Sequence, residues 1–140
     1  MAEVGISSGK PRLVLDAGAI IALTRGDPTA RSALARAGRD GYVVVVPTPV
    51  LAQVHRGGRT RARLDRVLSS VDAFQPTSAR VARRAGELLG LTRKSDAVDA
   101  IVAAEALSSP AATILASDPD DLTALVGADS ASDRVFISRC

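Results

Sequence analysis

Residues 13–23 read LVLDAGAIIAL, and this stretch decides the fold. Leu13, Val14 and Leu15 form a short continuous apolar run, as in a strand buried on both faces, and Asp16 ends it. Ala17 to Leu23 then carries helix-forming residues as far as a break at Gly26-Asp27-Pro28. A buried strand running directly into a helix is the opening half of a βαβ unit. The pattern recurs outward from here. A helix is predicted over Thr29 to Gly38, and Tyr42 to Val46 is the strongest strand, β-branched and stopped by Pro47. Thr48 is expected to cap a helix with Pro49 at its first position, running through Val54, and Arg61 to Leu68 forms a basic amphipathic one. Val71 to Phe74 is a short strand, and Thr77 or Ser78 starts a helix ending near Gly90. Ser95 or Asp96 caps a long helix through Leu107. Thr113 to Ala116 is a strand, Asp118-Pro119 opens another helix of the cap-then-proline kind, and Arg134 to Ser138 closes the sheet. The expected class is α/β, with a central, mostly parallel sheet of four or five strands.

At 140 residues the chain has room for one ordinary domain. Residues 1–10 read as a flexible lead-in and residues 11–140 as the domain. Apolar residues make up 46%, enough for a real core and too many for a disordered chain. Tyr42, Phe74 and Phe136 are the only aromatics, so the core is aliphatic, and the scarcity argues against an aromatic platform for stacking bases. All 18 basic residues except Lys10 and Lys94 are Arg, which favours a bidentate grip on phosphate or carboxylate. One cysteine, Cys140, and one histidine, His55, exclude an internal disulfide and a four-ligand zinc site. No stretch approaches about 20 uninterrupted apolar residues, so a soluble cytoplasmic protein without membrane contact is expected.

The chemistry rests on acids placed where acids are costly. Asp16 and Asp118 each follow an apolar strand, and in open parallel sheets ligand sites form at the carboxyl ends of strands. Either residue also fits a helix N-cap. Asp96 and Asp99 lie three apart on a helix that is apolar nearly all round, hence on one face. Asp96 suits a solvated first turn, whereas Asp99 is deeper and needs a compensating cation, either an Arg partner or a metal. A hard divalent ion answers all four acids together, since it takes oxygen ligands and works on phosphodiesters.

Four segments, LVLDAGAIIAL (13–23), VVVVPTPVLAQVHRGG (43–58), SDAVDAIVAAEAL (95–107) and ILASDPDDLTAL (114–125), together resemble the PIN-domain ribonucleases, specifically the VapC-type toxins of toxin–antitoxin pairs. The resemblance implies a three-layer, Rossmann-like PIN fold and Mg²⁺-dependent cleavage of RNA, with Mn²⁺ as an alternative ion. By position it implies Asp16, Asp99 and Asp118 as metal-binding and catalytic acids, assisted by Asp96. Ser117 stands beside the last acid as a site-lining hydroxyl, and Asp120 and Asp121 are secondary candidates. One position departs from the family: Gln53 stands where a Glu is usual, offering a neutral carbonyl oxygen without charge. That substitution opens an alternative, a degenerate module that binds RNA or antitoxin and cuts little. The resemblance further implies a homodimer and a VapB-like antitoxin covering the groove.

Arg56, Arg59, Arg61, Arg63 and Arg66 crowd one stretch, readable as a phosphate track or as a solvated helix face. Arg80, Arg83 and Arg84 carry the same ambiguity, and His55 is assigned no catalytic role. A phospho-aspartyl chemistry at Asp16 is disfavoured, because DAGAI lacks a second acid two residues on.

Overall fold

The computed structural model describes residues 9–140. Most of the lead-in expected over residues 1–10 therefore lies outside the described residues. Five strands form one sheet: β1 (Arg12–Leu15), β2 (Val43–Pro47), β3 (Ala73–Gln75), β4 (Ala112–Ala116) and β5 (Val135–Arg139). Their order is β3-β2-β1-β4-β5 and every pairing is parallel. Seven α-helices connect them: α1 (Ala17–Thr24), α2 (Pro28–Arg39), α3 (Thr48–Val54), α4 (Arg61–Leu68), α5 (Ala79–Thr92), α6 (Ala97–Leu107) and α7 (Asp120–Gly127). A short 3₁₀ turn, Ser132–Arg134, precedes β5.

The chain steps from β1 to β2 to β3 in one direction and from β4 to β5 in the other. With right-handed crossovers, that reversal sends α1–α4 to one face and α5–α7 to the opposite face. Helices α1, α2, α3 and α4 accordingly pack on one another, as do α5, α6 and α7. The sheet is buried on both faces, which explains why β2 reads VVVVP with every residue buried rather than alternating. Register pairs Leu15 with Leu115, so β1 and β4 end side by side. Between them lies the switch point, where open sheets leave a crevice.

Helix α6 is the expected buried helix, with Ala100, Val102, Ala103, Ala104, Ala106 and Leu107 all in the core. It also buries Glu105, only 3% exposed, which the sequence reading did not single out.

Several boundaries differ from the sequence reading for local reasons. Helix α2 starts at Pro28 because Asp27 caps it, accepting from the Ala30 N–H at 2.9 Å. Helix α3 includes Thr48, and no side chain caps it. Strand β3 begins at Ala73; just before it Asp72 grips Val44 of β2, its N–H donating to Val44 O at 2.9 Å and its carboxylate accepting from Val44 N–H at 2.8 Å. Helix α5 runs through Gly90 and stops at Arg93, whose φ of 59° is left-handed. An interior Gly costs a helix only about 1 kcal/mol, less than packing along its other face returns. The capping role considered for Asp118 is overturned. Pro119 occupies the N-cap position of α7, and no side chain caps that helix.

Candidate active site

Asp16 sits at the carboxyl end of β1, where its backbone N–H donates to Leu115 O on the neighbouring strand at 3.3 Å. Its extended backbone (φ −87°, ψ 179°) turns the side chain back over α1, and Oδ1 accepts from the Ala19 N–H at 2.7 Å. The capping and site readings of this residue are thus compatible. Asp16 is 8% exposed, and burial pushes its carboxyl up to about 6 against the pull of the Ala19 N–H, with Asp99 and Asp118 raising it further. The positive end of α1 is what keeps a buried acid tolerable here.

Asp99 lies in the first turn of α6 and is half-buried. Burial pushes it up to about 6 as well, followed by repulsion from Asp96, Asp121 and Asp118. Among the described residues no Arg or Lys pairs with it, so the structural explanation through an Arg partner is not met. Asp96 is the exposed N-cap of the same helix, accepting from the N–H groups of Val98 and Asp99, both at 3.0 Å. Asp118, exposed at the end of β4 and free of any capping duty, acts electrostatically on both Asp16 and Asp99. Asp121, in the first turn of α7, is drawn off by Lys94 Nζ at 3.0 Å. Lys94 is the partner the sequence reading missed, although it immediately precedes the SDAVD segment.

Ser117 stands over Gly18. A Cβ on Gly18 would collide with the Ser117 hydroxyl and come within 3.1 Å of its Cβ and 3.4 Å of Asp16 Oδ1. Glycine is therefore what lets β4's end close over α1. Gly18→Ala is expected to destabilise the chain by about 1–3 kcal/mol in urea titrations. Ser117→Gly in the same chain should recover most of that loss.

Gln53 is half-buried in the last turn of α3, which packs against α1 and α6, the two helices carrying the acids. His55 closes α3 as an exposed residue. Of the arginines, Arg56 folds back, its Nε donating to Gln53 O at 3.2 Å. Arg61 leans on Asp65 at 3.6 Å, while Arg59, Arg63 and Arg66 stand exposed. Arg84 is structural: its guanidinium bonds Asp129 at 2.7 and 2.9 Å and Glu87 at 2.7 Å. Arg80 and Arg83 are exposed beside it.

Among the described residues, no three acid, imidazole or thiol groups close into a ready-made cage for an ion. The donor set nonetheless fits a hard divalent cation. It is all carboxylate oxygen, and its two deepest members hold their protons more tightly than usual. Such an ion commonly takes only one or two carboxylates and completes its shell with water and phosphate. Asp16, Asp99 and Asp118 are the residues that could hold it. No helix among the described residues is long and apolar enough to cross a membrane.

Comparison with known proteins bears on the family and the fold. No curated relative matches the sequence. Among solved structures, a chain of VapBC2 from Rickettsia felis, crystallised bound to a DNA fragment from its promoter, superposes with a TM-score of 0.70. Identity is 15%, and the match covers 91% of this chain and 98% of that one, so the likeness is one of fold. The family model for the PIN domain matches residues 13–126, from β1 into α7 and across Asp16, Asp96, Asp99, Asp118 and Asp121. The chain belongs to the PIN domain family.

Proposed function

We propose that this chain is a VapC-type toxin, an endoribonuclease that hydrolyses RNA with a divalent ion and is held in check by a cognate antitoxin. The observation that carries the reading is the pair Asp16 and Asp99. Both are pushed up to about 6 by burial and by neighbouring acids, and neither has a cation partner among the described residues. Perturbed acids in a crevice at a sheet's switch point mark a functional site more often than a structural one.

In this reading Asp16, Asp99 and Asp118 hold Mg²⁺ or Mn²⁺, which supplies Lewis acidity toward the phosphodiester and activates water. Asp96 adds negative charge one turn before Asp99. Gln53 offers a neutral oxygen that orients without adding charge. Ser117 and Asp121 line the site, the latter restrained by Lys94. Arg56, Arg59, Arg61 and Arg63 lie on the α3–α4 side and would draw the RNA backbone toward acids that otherwise repel it. The VapBC2 likeness supports an antitoxin partner, and a homodimer of one PIN domain over residues 11–140 completes the proposal.

Gln53 favours one competing reading, a module that binds RNA or antitoxin and cuts little. Incubating the purified chain with mixed RNA separates the two. Mg²⁺- or Mn²⁺-dependent cleavage, stopped by chelator and lost in Asp99→Asn, is the expected result. Binding without cleavage, with Gln53→Glu restoring it, would establish the competing reading instead.

A further inference from the structure

A cavity of about 230 Å³ opens where the end of α1, the start of α2 and the flank of α4 meet. Arg25, Arg31, Arg63 and Arg66 wall it, and Leu23 and Val67 supply its aliphatic part. Among the described residues, none of these four guanidiniums has a carboxylate within salt-bridge distance, in contrast to Arg61 and Arg84. Four like charges around one hollow repel, and the arrangement gains stability only when an anion enters. The turn is also shaped for it. Gly26 has a left-handed φ of 77°, and a Cβ there would press on Arg31 Nη2 at 3.2 Å. The glycine suits the left-handed backbone and leaves the Arg31 guanidinium uncrowded.

Helix α1 links the cavity to the acids. Asp16 caps its N-terminus and Arg25 its C-terminus, so the 8-residue helix sets the two roughly 14 Å apart along its axis. We propose that this cavity grips a backbone phosphate of the RNA strand a few nucleotides from the bond that is cut, a placement that rests on the nuclease reading above. Guanidinium forks match phosphate oxygens bidentately, and several can share one tetrahedral anion. Two aliphatic side chains are too little to anchor a peptide, and no aromatic is present to stack a base. The contact therefore positions RNA without reading its sequence.

The test is fluorescence anisotropy with a short labelled single-stranded RNA of mixed sequence, in chelator so that nothing is cut, across a salt series. Arg31→Gln with Arg66→Gln is expected to weaken binding about tenfold and to flatten the log–log salt slope by about 0.7, the share of one phosphate. Arg31→Lys with Arg66→Lys should keep the slope and lose only part of the affinity. The charge-matched control, Arg36→Gln with Arg39→Gln outside the cavity, should leave both close to the parent. Circular dichroism melts confirm that each variant folds. A cavity variant binding RNA like the control overturns the proposal, even if the parent cuts RNA. Unchanged RNA binding with lost binding of polyglutamate overturns it in favour of an acidic peptide. RNA bound through the cavity yet never cut with Mn²⁺ leaves this site standing and removes the nuclease reading.

Discussion

Asp16→Asn is expected to stabilise the metal-free chain by about 2 to 3 kcal/mol at pH 7 while lowering RNA cleavage about a thousandfold. The sign follows from the proton. Asp16 holds its proton up to about 6 in the folded chain, against 3.8 ordinarily. The ionised folded state is therefore penalised, and the penalty is absent below pH about 4, grows through 6 and is complete above it. Asn removes the charge and keeps an oxygen for the Ala19 N–H, so the cap on α1 survives. Urea titrations of parent and variant in chelator should diverge as pH rises from 4 to 7 and coincide at pH 4. Adding Mg²⁺ at pH 7 should reverse their order, because the ion offsets the same penalty in the parent alone. Equal stability at pH 7 in chelator would mean that Asp16 is not under electrostatic strain.

The second large effect lies at the opposite end of the sheet. Arg12 Nη1 approaches Glu105 Oε2 at 3.6 Å, and Ser108 Oγ reaches the same oxygen at 3.5 Å. Glu105 Oε1 is buried with no hydrogen-bond partner among the described residues. Burial outweighs attraction for both partners, pushing Glu105 up and Arg12 down. Arg12→Met leaves an uncompensated buried carboxyl and should cost about 3–5 kcal/mol at pH 7. Adding Glu105→Leu should restore stability to the parent's level or above it, since an aliphatic pair satisfies the same space without desolvating charge. Thermal or urea unfolding of the single and double variants reads the cycle directly. A double variant no better than Arg12→Met alone would show that packing, not charge, governs this corner.

The β-branched run at Tyr42–Val46 and the all-apolar face of α6 made strand and helix legible from sequence, because burial on both sides leaves no alternation to misread. Caps were less legible. Asp27 and Pro119 shifted two helix starts by one or two residues, and the choice depended on backbone angles that neighbouring strands impose. At the site, Asp16, Asp99 and Asp118 could be nominated from their strand-end and helix positions. That Asp118 caps nothing, and that Lys94 pairs with Asp121, depended on tertiary placement. Glu105 sat inside an alanine-rich helix with no local cue to its Arg12 partner, 93 positions earlier. The Arg25–Arg31–Arg63–Arg66 cavity was half-visible: the α4 arginines stood out as a run, whereas Arg25 and Arg31 reach the same hollow only through the packing of α1 and α2 on α4.

The central position of β1 has a consequence for synthesis on the ribosome. Its two ladder neighbours are β2, made soon after it, and β4, made only when most of the chain has emerged. Until then Asp16 stays apart from the acids it will repel, and half of the first strand's bonding edge is empty. A nascent chain thus cannot gather these aspartates prematurely, and an early truncation leaves an open-edged, aggregation-prone fragment.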